Sequence, residues 1–278
     1  MQKNYPNTET PASTKQTNSS PMKTNHKTPV SFSDSLQVSV PTSWEELNEE
    51  QLYYVLRLIA HGVPMERTML YAFLQFSALK VIRRYAPSTL LVRYKNAPYV
   101  ITKQDLLLGA TSQDYLETPP KSPVRLYKWR QTVAVNPELH GVRFGVYLQA
   151  ENYFQGYLTE RNNKYLMQLG YLLYPGLEAK GRDDWSKEEQ NIFCTNVLLW
   201  YTGFKQLLVE QFPELFRSSD TTGETLDMRE IMFAQIRILT SGDVTKEHRV
   251  LNVDTWSALG ELNEKIKESK RLDRMLKK

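Results

Sequence analysis

Apolar side chains recur at helical spacing from Leu52 through Val55, Leu56 and Ile59, directly after Thr42-Ser43-Trp44-Glu45-Glu46. In that lead-in Ser43 and Glu46 have the spacing of a capping box, which predicts the helix start there. His61-Gly62 closes this helix and Pro64 opens a second, with Met65, Met69, Phe73 and Phe76 on its buried face. From Thr89 the period shortens. TLLVRY, the polar break Lys95-Asn96 and PYVIT read as a hairpin of two strands, and Pro98 marks the second as an edge. A short helix over Gln104–Leu108 follows. Residues 117–143 hold Pro119, Pro120, Pro123 and Pro137, and VRLYKWRQTVAV between them reads as strand.

Beyond Phe144 the pattern is almost wholly helical. Phe144, Tyr147, Leu148, Phe154, Tyr157 and Leu158 share one helix, and Leu166, Leu169, Leu172 and Leu173 share the next, stopped at Pro175-Gly176. Ser186 and Glu189 form a capping box before a long helix to Gln211. Met228–Thr240 is closed by Ser241-Gly242. In the segment after it, Thr245 has the form of a cap for a short helix. Asp254 caps the last helix, whose stripe is Leu259, Leu262, Ile266, Leu272 and Leu276. The fold class read from this pattern is mainly α with a small β insert (α+β), the C-terminal half resembling a helical bundle.

Residues 1–40 are of different make-up, with thirteen Ser/Thr, four Pro and four Asn. Such a segment buries too little apolar surface to offset its ordering entropy and is expected to be a flexible tail. The folded part then divides into 41–143, a helical pair with a small β element, and 144–278, a helical region. Whether these make one domain or two stays open at this level.

The chain has 278 residues, 41% hydrophobic and 24% charged, which excludes collagenous and wholly disordered classes. Mean hydropathy is −0.50 and no apolar run reaches the roughly 18 residues of a membrane span, so no membrane partner is expected. Cys194 is the one cysteine, which excludes an internal disulfide. With no export signal in MQKNYPNTET, the expected compartment is the cytoplasm. The net charge of +4 is modest, and Lys270–Lys278 concentrates five basic residues against Asp273. A basic helix end suits the negative pole of its dipole and needs no ligand to explain it.

Signatures of chemistry are sparse. Phosphate loops, dinucleotide fingerprints, HExxH, nucleophile elbows and paired CxxC are absent, so no cofactor is expected and the reading leans away from an enzyme. His26, His61, His140 and His248 lack a second ligand at metal spacing. Cys194 could pair with His140 as nucleophile and base, but NIFCTNVLLW gives it the setting of a core residue. Asp183-Asp184 and Glu188-Glu189 flank a helix start, where carboxylates favour the dipole. Glu151–Gly156 reads ENYFQG, close to a protease-tag site, yet it continues a helical pattern and is read as native. Arg125, Lys128, Trp129 and Arg130 interleave basic and aromatic character, as do Arg93-Tyr94-Lys95; strands of this kind can stack bases and hold phosphates. Strand alternation favours the other reading, with Tyr127 and Trp129 in a core and Lys128 and Arg130 in water.

In the C-terminal third, WYTGFK at Trp200–Lys205, FPELF at Phe212–Phe216, QIRILTSGDVTKE at Gln235–Glu247, Val250-Leu251 and DTWSAL at Asp254–Leu259 resemble a group of uncharacterised proteins from gut anaerobes. Tyr153–Leu158 shares the resemblance, which covers about the last half of the chain. Some members of that group lie in prophage-like regions, which implies phage or mobile-element biology, tail assembly included. The function expected is therefore a non-enzymatic interaction or adaptor protein whose partner is another protein, met at Trp256, Leu259, Leu262 and Ile266. The alternative is a nucleic-acid-binding accessory protein using Arg125, Lys128, Trp129, Arg130 and the basic C-terminal helix.

Overall fold

The computed structural model describes residues 28–32, 36–178, 184–216 and 228–276. Thr28–Phe32 (β1) pairs antiparallel with Leu36–Val40 (β2), in which Leu36, Val38 and Val40 are buried and Gln37 and Ser39 exposed. The expected tail therefore ends earlier than residue 40, because LQVSV carries the period-2 alternation of a half-buried strand. Residues 1–27 of that tail lie outside the described residues.

Glu49–Ala60 (α1) starts later than its capping box at Ser43 predicts. Trp44 is buried and donates its indole N–H to the Thr118 carbonyl at 2.8 Å, so the chain turns through a short 3-10 segment, Trp44–Glu46. The box is made instead by Asn48 with Gln51. Met65–Phe76 (α2) follows the Gly62 turn, burying Thr68, Ala72, Phe73 and Phe76, with Met65 and Met69 at the margin. The sheet has three strands rather than the expected two: Lys80–Ala86 (β3), Thr89–Tyr94 (β4) and Ala97–Thr102 (β5), in that order. β3 escapes period-2 reading because register shifts at Val81/Arg83 and Arg84/Ala86 break its alternation. Lys95 and Asn96 both take positive φ in the two-residue turn between β4 and β5, as a tight hairpin requires. β5 is an edge, as Pro98 predicts. Lys103–Thr111 (α3), capped by Thr102 and Asp105, leads away from it.

The stretch expected as strand around residues 124–135 forms only a minimal hairpin, Lys128–Trp129 (β6) with Thr132–Val133 (β7). Its other backbone groups are taken up by helices. Leu126 N–H donates to Asn196 Oδ1 at 2.9 Å, and the Leu126 carbonyl accepts from the Tyr174 hydroxyl at 2.6 Å. Tyr127 N–H donates to Glu49, and Val135 N–H to the Leu173 carbonyl. Indole N–H groups of Trp200 and Trp256 hold the carbonyls of Pro137 and Glu138. Buried backbone groups need partners, and helix side chains supply here what a neighbouring strand would have supplied.

Phe144–Glu160 (α4), Asn163–Leu173 (α5) and Lys187–Gln211 (α6) make up the centre, α5 packing between α4 and α6. Phe193 of α6 lies 5.0 to 5.5 Å, ring to ring, from Trp185, Trp129 and Tyr174. Gly203 of α6 admits the 117–125 segment: a Cβ there would sit 2.6 Å from the Ser122 carbonyl oxygen. Pro213–Phe216 (α7) packs against α6 and α10, whereas Met228–Thr240 (α8), Glu247–Leu251 (α9) and Thr255–Leu276 (α10) pack against α4, with α8 also meeting α9 and α10. Asp243, not Thr245, caps the turn before α9: its carboxylate accepts from the Thr245 N–H. Asp254 caps α10 as expected. α10 buries Leu259 and Leu262, but Leu272 and Leu276 are exposed because its last turns run past the core. One buried cluster spans β2, α1, α2, the sheet and α4–α6 through to α10, joining residues 41–143 to 144–278. With 62% helix among the described residues and these short strands, the chain is mainly α with a small β insert.

Candidate interaction surfaces

The structure separates the residues singled out as a partner interface. Leu259 and Leu262 are 0% exposed and belong to the internal core, and Ile266 is half-buried one turn further on. Trp256 is half-buried as well: His140 stacks on it at 4.7 Å between centroids, Phe212 packs at 5.3 Å, and its N–H is held by Glu138. It pins the 136–143 loop to α10.

The basic aromatic strip is likewise built into the molecule. Trp129 is buried against Trp185 and Phe193, whereas Tyr127, expected in the core, is 51% exposed. The Arg125 guanidinium lies over the rings of Trp200 and Tyr127, at 5.2 and 5.6 Å from their centroids, and burial lowers its pKa. Arg130 lies over Trp185 and pairs with Glu189 at 3.1 Å. Lys128 and Arg130 line a cleft of about 450 Å³ that also holds Glu49, Glu50 and Glu189. Three carboxylates thus face the two exposed cations. The basic end of α10 is interspersed in the same way: Lys270 pairs with Glu214 at 2.8 Å and Lys267 with Glu264 at 3.4 Å. Lys277 and Lys278 lie outside the described residues.

Of the carboxylate pairs named from the sequence, Glu189 belongs to the capping box of α6. The backbone N–H of Ser186, with Arg130 and the Ser186 hydroxyl, holds the Glu189 carboxyl below its ordinary range. Glu188 meets His61 at 3.0 Å; Asp183 lies outside the described residues, as does His26. Cys194 is buried with its thiol pushed up to about 12, and its sulfur approaches the Asn163 carbonyl, while His140 is engaged with Glu138 and Trp256. That thiol stays protonated and is not poised as a nucleophile. Among the described residues no group of three or more His, Cys, Asp and Glu side chains is placed to hold a metal ion. No described helix is long and apolar enough to cross a membrane.

One buried ionic cluster went unread in the sequence. Glu151 of α4, in the ENYFQG string, is 7% exposed. Both its oxygens accept from Lys205 Nζ at 3.0 Å, and it also accepts from the Tyr201 hydroxyl and Gln155. Burial, then the Glu151 charge, keeps the phenols of Tyr147 and Tyr201 well above their ordinary pKa. Each oxygen of Glu151 is engaged by the protein itself, so the cluster ties α4 to α6.

Among the described residues two further surfaces stand out. The first is a groove of about 340 Å³ between α8 and the Gly242–Val244 turn. It is lined by Phe233, Ile236, Thr240 and Val244, with Arg237 and Glu247 as its charged members. Phe233 is 67% exposed and Val244 79%. The second is the β3–β5 sheet, whose strands and following residue carry Lys80, Arg83, Arg84, Arg93, Lys95 and Lys103. Neither was among the expected sites, although Arg93-Tyr94-Lys95 was a visible signal for the second. Comparison of the chain with protein-family models, with curated proteins and with solved structures gives no match in any of the three.

Proposed function

We propose that the protein is a non-enzymatic adaptor that docks a partner protein in the groove between α8 and the Gly242–Val244 turn. The observation that carries this reading is the exposure of Phe233 and Val244 on either side of an apolar groove. Side chains of this size are ordinarily turned inward, and an apolar centre with one charge of each sign matches the make-up of protein interfaces. Its balance of Arg237 and Glu247 offers nothing particular to a polyanion. The stretch Gln235–Glu247, which carries the resemblance to proteins of prophage-like regions, supplies most of the lining. On that ground the proposal extends to phage or mobile-element biology, with tail assembly as its specific form and the cytoplasm as its place.

The test is a photo-reactive phenylalanine analogue at position 233 of the full chain, irradiated in the source cell with the element induced. A discrete protein adduct that survives nuclease treatment and is lost in the Val244→Asp variant is the expected result. No adduct, or one that nuclease removes, overturns the reading.

A further inference from the structure

Between Glu66 and Asp105 the chain has no acidic residue, and within it residues 80–103 hold six basic ones. Against a total of +4, the rest of the molecule is net −2. The charge that looked thin over the whole chain is therefore concentrated on one small sheet. Among the described residues none of these six cations makes an ion pair.

The register shows how they are arranged. Lys80 lies opposite Arg93, and Arg83 lies opposite Leu91, two residues along β4 from Arg93. Directly opposed residues share a face, as do alternate residues of one strand, so Lys80, Arg83 and Arg93 stand together. The other face supplies Val92 and Ile101 to the core. Lys80 and Arg83 are three positions apart and would point to opposite sides of a regular strand. The register shift at Val81/Arg83 brings them to the same one.

This arrangement costs stability, since like charges in direct cross-strand opposition repel and nothing in the sheet offsets them. Cations on an edge strand also guard it against pairing with other chains, which accounts for charge on β3. That reason does not reach Arg93, in the central strand. Two residues from Arg83, Tyr85 is 62% exposed. A row of unpaired cations beside an exposed aromatic ring fits a phosphate backbone with unstacked bases.

We propose that the outer face of the β3–β5 sheet binds single-stranded nucleic acid, its phosphates meeting Lys80, Arg83 and Arg93 and a base stacking on Tyr85. This is a second binding activity, carried by observations separate from the α8 groove. A molecule with both surfaces links a nucleic acid to a protein.

The test is fluorescence anisotropy of a labelled oligodeoxythymidine 20-mer titrated with the full chain over a range of salt. The Lys80→Gln/Arg83→Gln/Arg93→Gln variant is expected to bind at least about tenfold more weakly, with a salt slope smaller by about 2, from roughly 0.7 per lost phosphate contact. Its thermal midpoint should equal or exceed that of the parent, because a repulsive pair is removed. Arg93→Gln alone provides the same readout with the edge strand intact. Neutralising Lys267, Arg271 and Arg274 on α10 is expected to leave binding unchanged. Absence of oligonucleotide binding overturns the proposal, as does binding that survives the triple variant. Tighter binding of polyglutamate than of the oligonucleotide assigns the face to an acidic protein and overturns it too.

Discussion

Cys194 shows how far burial governs a single side chain. A thiol in water ionises near pH 8.5, but burial disfavours the thiolate and moves ionisation up to about 12. At mildly alkaline pH the folded protein therefore presents a neutral, enclosed SH. Iodoacetamide at about pH 8.5 is expected to alkylate the denatured chain readily and the native chain only as fast as it unfolds. Rapid labelling of the native protein would mean that α6 opens locally or that the thiol is ionised. The same scale settles the tryptophans. Trp129, Trp200 and Trp256 look alike in a sequence, yet each is committed internally, the first to Phe193 and Trp185, the others to the carbonyls of Pro137 and Glu138.

Between elements, α4 and α6 are joined by aromatic contacts and by an ion pair that composition does not reveal. Glu151 and Lys205 lie far apart in the chain, and only the packing of two helices brings the carboxylate under the ammonium and the Tyr201 hydroxyl. Removing one partner leaves a nearly enclosed charge uncompensated. Lys205→Ala is expected to destabilise the fold by about 3–5 kcal/mol, whereas the double variant Glu151→Leu/Lys205→Met should recover most of that loss. Urea midpoints of the two variants, compared with the parent, check it; equal losses would place the energy in packing. The irregular 117–143 segment follows the same logic. Its sequence has strand character, but its neighbours are helices, and Asn196, Tyr174 and Glu49 take its hydrogen bonds.

Across the whole molecule, the core draws on both ends of the described chain. β2 places Leu36, Val38 and Val40 in the cluster that continues through α1 and α6 to Leu259 and Leu262 of α10. β2 is thus part of the folded unit. Val38→Asp would bury a charge with no partner and is expected to cost more than about 3 kcal/mol, read as a fall in thermal midpoint, while Gln37→Asp, on the exposed side, should cost less than about 0.5 kcal/mol. Similar effects at the two positions would detach β2 from the core.

What the sequence determined by itself is the local order. Helical periods, the caps at Ser186 and Asp254, the Gly62 and Lys95-Asn96 turns and the mainly α class all follow from interactions within a few residues, which a linear pattern records. Ser43-Trp44-Glu45-Glu46 and Asn48-Glu49-Glu50-Gln51 both have capping spacing, and the choice between them fell to Trp44, anchored on a carbonyl 74 positions away. Tertiary structure alone decided the rest. It turned Leu259 and Leu262 inward, met Lys128 and Arg130 with carboxylates, and through a register shift stood Lys80, Arg83 and Arg93 on one open face. Whether a charge or an apolar side chain is available to a partner depends on what packs across from it. That neighbour comes from a distant part of the chain.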